Sequence, residues 1–84
     1  MAAKKIFVSI LSENGKLFEG NVDCLFVPSK KGEVAILPYH TPLVLLISQG
    51  SISILEAGRR VEVIKANKGL LRVDENVAFA MVNL

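Results

Sequence analysis

Residues 32–44 read GEVAILPYHTPLV, and this stretch places the strongest local constraints on the fold. Its first part, residues 34–37, is an apolar run of the length of a buried strand. Pro38 and Pro42 follow and bracket His40, the only histidine of the chain. Because proline fixes φ near about −65° and cannot donate to a strand ladder, the stretch predicts a strand that ends at a stiff corner.

Turn signals flank this corner in both directions along the chain. Asn14-Gly15 predicts a type I′ hairpin turn, which would join a strand over residues 5–11 to one over residues 16–18. We expect Gly20 and Asn21 to end that second strand. Ala57-Gly58 predicts a further hairpin, with a type I turn and Gly58 alone in the left-handed region, because alanine rarely adopts a positive φ.

Between the turns, apolar and polar residues alternate with the period of a half-buried strand. The alternation is clear in residues 51–54, 60–63 and 71–74, and no window shows a capped helical stripe. Many short strands at this spacing are typical of an all-β fold. The sequence therefore predicts one domain over residues 1–84, built as a two-sheet β-sandwich or flattened barrel.

Two stretches, residues 24–27 and 43–47, are apolar at every position and do not fit a strand with one solvated face. Either these strands are central and covered, or their outer faces contact another protein. The second interpretation is favoured because 51% of the 84 residues are hydrophobic, a large share for so small a body.

The composition argues against several classes of protein. Ten basic residues nearly balance eight acidic ones and form no basic stripe, so nucleic-acid binding is not favoured. The single cysteine cannot form an internal disulfide, and no apolar run reaches the ~20 residues of a membrane span. Ser9, Ser12 and Glu13 interrupt the apolar run near the N-terminus, which disfavours a signal peptide. We expect a cytoplasmic protein.

The chain lacks the residues of a catalytic or metal site. His40 has no nearby acid or nucleophile in sequence, and Cys24 lies in an apolar run, where a small hydrophobic role is expected. One histidine and one cysteine do not supply the ligands of a metal centre, and no glycine-rich phosphate loop is present. We therefore expect no catalysis and no cofactor.

The proline corner then has two possible roles. A bend with few conformations binds a partner at low entropic cost, and Tyr39 and His40 at its tip would offer rings and hydrogen bonds. Alternatively, the corner packs on its own sandwich. The first role is favoured.

The wider pattern resembles a known family. The motif Gly32-Glu33-x-x-Ile36-x-Pro38-x-His40-Thr41-Pro42-Leu43 lies between Phe18-x-Gly20 on one side and Gly50 and Gly69-Leu70-Leu71-x-Val73 on the other. This arrangement is similar to the N-terminal β-sandwich domain of the epsilon subunit of F-type ATP synthase, called delta in mitochondria. The resemblance extends from about Lys5 to the last residue.

The resemblance implies a sandwich of about ten strands and a mechanical function. Such a subunit is non-catalytic and belongs to the rotor, where it docks on gamma and on the polar loops of the c-ring and couples ion-driven rotation to ATP synthesis. It is peripheral to the membrane, on the cytoplasmic face of the bacterial inner membrane. Matching positions imply c-ring contacts at Ser29, Lys31, Gly32 and Glu33, and gamma contacts at Ser12, His40, Thr41 and Leu45. The alternative is a free-standing β module that binds nucleic acid or a ligand.

Three features depart from the family pattern. Asn67-Lys68-Gly69 lacks the expected paired glycines, and Arg72 stands where an acidic residue is common. The sequence also ends at Leu84, where most members continue into a regulatory helical hairpin. A natural short form and a truncated chain both fit that ending; a natural short form would lack regulation by the hairpin.

Overall fold

The computed structural model describes residues 4–84, which form nine strands and no helix. In chain order these are β1 (Ile6–Ser12), β2 (Gly15–Val22), β3 (Cys24–Ser29), β4 (Gly32–Ile36), β5 (Leu43–Ile47), β6 (Gly50–Glu56), β7 (Arg59–Ala66), β8 (Lys68–Asp74) and β9 (Val77–Asn83). The predicted all-β sandwich is confirmed, with nine strands rather than about ten.

The strands form two sheets. One has five strands in the order β2-β1-β9-β8-β5, and the other has four in the order β4-β3-β6-β7. Neighbouring strands are antiparallel except β1 and β9, which pair in parallel. The core lies between the sheets, where one face of each strand is buried. Its largest fully buried side chains are Ile6, Ile10, Leu25, Ile36, Ile52 and Leu71.

The loops that connect the strands lie at two opposite ends of the sandwich. At the corner end lie the proline corner, residues 37–42, and the turns at residues 57–58 and 75–76. At the tip end lie the turns at residues 13–14 and 30–31 and the β5–β6 connection at residues 48–49. Strands of about seven residues separate the two ends by roughly 20 Å.

The first hairpin forms as predicted, but its turn differs. Ser12 pairs with Gly15, so the two loop residues are Glu13 and Asn14. Of the predicted pair Asn14-Gly15, only Gly15 has a positive φ, 122°. The type I′ assignment was therefore wrong, and the Ser12 hydroxyl organises the loop instead by accepting the Asn14 N–H at 3.2 Å.

The predicted strand end at Gly20 and Asn21 was also wrong. Both residues lie inside β2, where they pair with Val8 and Phe7 of β1. The ladder with β1 supplies their backbone hydrogen bonds, which outweighs the low strand propensity of glycine and asparagine. The chain changes sheets at Asp23 instead.

The hairpin at residues 57–58 forms, again with a different turn. Ala57 and Gly58 both have positive φ values, 51° and 75°, as a type I′ turn requires, so the expectation that Gly58 alone would be left-handed was wrong. A side chain from a distant loop supports this alanine: Asp23 Oδ2 accepts the Ala57 N–H at 3.2 Å. Lys5 Nζ in turn lies 2.9 Å from Asp23 Oδ1 and 3.1 Å from Glu56 Oε1.

Candidate interaction surfaces

The outer face of the five-stranded sheet carries an exposed apolar patch around one arginine. Leu46 of β5 lies opposite Leu70 of β8, which lies opposite Met81 of β9. The next row places Val44 opposite Arg72, and Arg72 opposite Phe79. Val44 and Leu46 are 68% and 69% exposed, so no other part of the described chain covers them. We call Val44, Leu46, Leu70, Phe79 and Met81 the docking face.

Leu45, predicted as a gamma contact, points the other way. It pairs with the fully buried Leu71 and packs against the core from an edge strand. Alternation along β5 therefore turns Val44 and Leu46 outward in its place. The contact at Leu45 stays a prediction, and the geometry favours its two neighbours as contact residues.

On the outer face of the four-stranded sheet, an ion pair lies over the aromatic ring of Phe26. The Arg60 guanidinium of β7 lies 4.0 Å from the centroid of the Phe26 ring on β3. It then reaches Glu33 of β4, where its two terminal nitrogens each donate to one carboxylate oxygen, one of them at 2.9 Å. This arrangement explains the apolar run at residues 24–27, because Phe26 is covered from within the chain. Cys24 is only 2% exposed, and burial raises the pKa of its thiol.

The proline corner is fixed by hydrogen bonds. The His40 N–H donates to the Leu37 carbonyl at 3.1 Å, closing a turn in which Pro38 precedes Tyr39. Tyr39 has a φ of 61°, the left-handed value that the third residue of a type II turn requires. Its N–H donates to Asn76 Oδ1 at 2.7 Å.

Asn76 ties the corner to the first strand. Its Nδ2 donates to the Lys5 carbonyl at 2.8 Å while its Oδ1 holds Tyr39, so one side chain joins the β8–β9 turn, the corner and the start of β1. A bulky residue rarely stays at a positive φ unless its surroundings hold it there. The corner is therefore rigid, as the two prolines predict.

His40 and Thr41 lie at the corner end, on the rim of the five-stranded sheet. His40 is half-buried, and its Nδ1 donates to the Thr41 carbonyl at 2.7 Å, which leaves Nε2 free. Within residues 4–84 there is no group of three or more His, Cys, Asp or Glu side chains that could hold a metal ion. The site thus offers His40 as a hydrogen-bonding surface residue.

The predicted c-ring contacts lie together at the tip end. The Ser29 hydroxyl donates to the Gly32 carbonyl at 2.7 Å and accepts the Lys31 N–H at 3.2 Å, which shapes the loop. Glu33 is exposed, and its ion pair with Arg60 lowers the pKa of its carboxyl group. This loop therefore presents a carboxylate that is ionised and held in one orientation.

Ser12 lies in the neighbouring hairpin, also at the tip end. The residue is 7% exposed and its hydroxyl bonds within its own turn, so Ser12 supports the loop more than it offers a contact. Ser12 and His40 are thus at opposite ends of the sandwich, and the docking face lies between them. An open groove of about 650 Å³ runs from the two tips, at Glu13 and Lys30, onto this face.

Sequence reasoning predicted a contact on the outer face of residues 43–47 but missed the other members of the docking face, which are Leu70, Phe79 and Met81. In β9, large apolar residues alternate with Ala78 and Ala80. The outward orientation of Phe79 and Met81 follows only once these two alanines are assigned to the buried positions. The strand alternation could have signalled this, since the small residues fit the interior of a sheet at the centre of the sandwich.

As for membrane spans, no helix long and apolar enough to cross a bilayer occurs within the described residues.

Comparison with known proteins gives a consistent result. Residues 5–83 match the family described as ATP synthase, Delta/Epsilon chain, beta-sandwich domain. The ATP synthase epsilon chain of Leptospira interrogans (serovar copenhageni) is 36% identical over 76 residues, covering 90% of this chain and 59% of that protein. The corresponding protein of Nitrosococcus oceani is 31% identical over 81 residues, covering 96% and 58%. The chain thus spans about three-fifths of the length of these relatives.

Solved structures share the fold. A chain in the cryo-EM structure of the Euglena gracilis mitochondrial ATP synthase, OSCP/F1/c-ring, superposes with a TM-score of 0.85 at 15% identity, over 98% of this chain and 52% of that one. A chain from the central stalk/c-ring structure of the Tetrahymena thermophila mitochondrial ATP synthase superposes with a TM-score of 0.75 at 13% identity, over 100% and 67%. At these identities the likeness concerns the fold.

Proposed function

Because the chain belongs to the ATP synthase delta/epsilon family through its β-sandwich domain, we propose that it is a non-catalytic subunit of the central stalk of an F-type ATP synthase. It docks on gamma and on the c-ring, and it couples ion-driven rotation to ATP synthesis. The observation that carries this proposal is the contrast between the two outer faces of the sandwich. One carries an exposed patch of large apolar side chains, and on the other an arginine–glutamate ion pair lies over the Phe26 ring.

Gamma covers the docking face in this proposal. An interface core requires an apolar patch, and the docking face supplies one. Val44 and Leu46 lie at the centre of an edge strand, and Leu70, Phe79 and Met81 lie beside them. His40 and Thr41 extend the contact at the corner end, where the rigid corner limits the entropic cost of binding. Ser12 supports the contact from the tip end by shaping the hairpin beside the groove.

The tip end meets the polar loops of the c-ring. Ser29, Lys31 and Gly32 shape the loop, and Glu33 supplies its ionised carboxylate. Docked in this way, the chain is peripheral to the membrane, at the cytoplasmic face of the bacterial inner membrane. The alternative of a free-standing module for nucleic acid or a small ligand is not supported by the family match.

A binding titration with purified gamma tests the proposal. Leu46 is 69% exposed, and full burial of a leucine contributes about 1.5–3 kcal/mol, so docking gains roughly 1–2 kcal/mol at this position. Leu46→Ala should therefore weaken binding by roughly 5- to 30-fold, and His40→Asp should weaken it as well. Val61→Ala, an exposed apolar position on β7 of the other sheet, is the matched control and should bind like the wild type. Failure of the wild-type chain to bind gamma would refute the proposal.

The c-ring contact needs its own test. Glu33→Arg should reduce the ion pumping coupled to ATP hydrolysis in membrane vesicles, because it reverses the charge of the proposed contact. Glu62→Arg makes the same charge change on β7, outside the tip-end loop, and should leave pumping unchanged. Equal pumping by the two variants would contradict the proposed role of Glu33.

A further inference from the structure

Arg72 is the one charged residue in the centre of the docking face. It lies in β8 directly between Val44 of β5 and Phe79 of β9, with Leu70 two residues before it on the same face. Its side chain is 69% exposed. A partner that covers Val44 and Phe79 must therefore also cover the space above Arg72.

Within the described part of the chain, Arg72 has little to neutralise it. Its ion pair is with Asp74, whose Oδ2 lies 4.0 Å away, at the outer limit of such a contact, and the Asp74 side chain is 50% exposed. The contrast with Arg60 is clear, because Arg60 stacks on an aromatic ring and binds both oxygens of Glu33. Arg60 is paired within the fold, whereas the Arg72 guanidinium retains most of its donors for another molecule.

A guanidinium that is covered by apolar surface without a partner loses its hydration and gains nothing in return. On the proposed function, in which gamma covers this face, we infer that the covering surface is apolar but carries one carboxylate placed to pair with Arg72. A carboxylate is the best match because its two oxygens accept two parallel bonds from the planar fork of arginine. Arg72 then determines the register and specificity of docking, and the surrounding apolar residues supply most of the contact area.

Replacement of Arg72 by leucine separates this inference from its main rival. If a carboxylate lies opposite, Arg72→Leu leaves that carboxylate buried and unpaired, and the affinity for purified gamma should fall by about tenfold or more. If Arg72 instead only keeps the free face soluble, Arg72→Leu enlarges the apolar patch, and the affinity should stay the same or rise. Equal or tighter binding would therefore overturn the inference.

Two further variants complete the experiment. Arg72→Lys keeps the charge but loses the fork, so its affinity should lie between those of the wild type and Arg72→Leu. Lys65→Leu removes an exposed positive charge on β7 of the other sheet and should leave the affinity unchanged. Added sodium chloride should weaken the wild type more than Arg72→Leu, because it screens the proposed pair.

The same titration distinguishes the failure of this inference from the failure of the proposed function. If Leu46→Ala weakens binding but Arg72→Leu does not, gamma covers the face without a carboxylate, and only the present inference falls. If Leu46→Ala and Arg72→Leu both bind like the wild type, the docking face itself is wrong.

Discussion

Asn76 is the residue on which the geometry of the proline corner depends most. Its side chain accepts the Tyr39 N–H at 2.7 Å and donates to the Lys5 carbonyl at 2.8 Å, and its backbone has a φ of 61°. Asn76→Ala removes both hydrogen bonds, which contribute about 0.5–1.5 kcal/mol each, nearer the lower value where the Tyr39 end is exposed. Alanine also tolerates the left-handed region less well than asparagine, at a cost of about 1 kcal/mol.

The sum is a loss of about 2–3 kcal/mol in the free energy of unfolding, a large share of the ~4–13 kcal/mol expected for a domain of this size. Urea denaturation followed by far-UV circular dichroism measures this loss directly. Glu75→Ala is the matched control, because Glu75 precedes Asn76 in the same turn and also has a positive φ, 48°. This substitution only replaces one residue in the left-handed backbone conformation with another. It should change the free energy of unfolding by no more than about 0.5 kcal/mol.

Equal stabilities of the two variants would refute this account of the corner. The corner would then be held by its prolines alone, and the left-handed Tyr39 would need another explanation. A second readout separates stability from geometry. Asn76→Ala should also weaken binding to gamma, because His40 and Thr41 would be presented by a mobile corner, whereas Glu75→Ala should not.

Two further predictions concern packing and pH. Gly69→Ala should destabilise the fold by about 1–3 kcal/mol, because the new Cβ would lie 2.5 Å from the Met81 carbonyl oxygen. Gly20→Ala is the control and should not destabilise the fold, because its Cβ would only touch the Phe18 ring at 3.5 Å. Thermal unfolding of both variants checks this prediction, and equal losses of stability would contradict it. The hydrogen bond between Lys5 and Asp23 lowers the pKa of the Asp23 carboxyl group from its ordinary value of 3.8. The same bond raises the pKa of the Lys5 ammonium group from 10.5. The Asp23 contribution is therefore present above about pH 4 and lost as the pH falls through the lowered pKa, and the Lys5 contribution is present below about pH 10 and lost as the pH rises through the raised pKa. Asp23→Asn should flatten the acid limb of a stability–pH profile and only reduce the alkaline limb, because Glu56 still pairs with Lys5, and an unchanged profile would argue against the pair.

The sequence predicted the features that depend on neighbouring residues. Alternation identified the strands around Ile52 and Val73, and the two prolines identified the corner, because strand period and proline geometry are local properties. The residue pattern around Pro38 and His40 also indicated the family. Turn type was less accessible: the two-residue loop between Glu56 and Arg59 takes the type I′ form with Ala57 at a positive φ, and Asp23, 34 residues away in sequence, accepts the Ala57 N–H.

The candidate site was harder to predict, because its key contacts join distant strands. Arg60 and Glu33 lie 27 residues apart, on the two edge strands of one sheet, and their pairing above Phe26 follows only from the folded arrangement. Leu45 was predicted as a contact from its position in the family motif, and strand periodicity could not decide between it and its neighbours Val44 and Leu46. In an all-apolar strand, periodicity does not show which face is buried until the partner strand β8 is known.

Chemical labelling of single cysteines tests most directly whether the outer face of the five-stranded sheet is the docking face. Leu46→Cys places a thiol on that face, and Ala35→Cys places one at an exposed position of β4 in the other sheet. Cys24 gives little background, since it is buried and its thiol has a raised pKa. Both variants should react readily with a maleimide in the free chain. With saturating gamma, the thiol at position 46 should become protected while that at position 35 stays reactive; equal reactivity of the two in the complex would contradict the account.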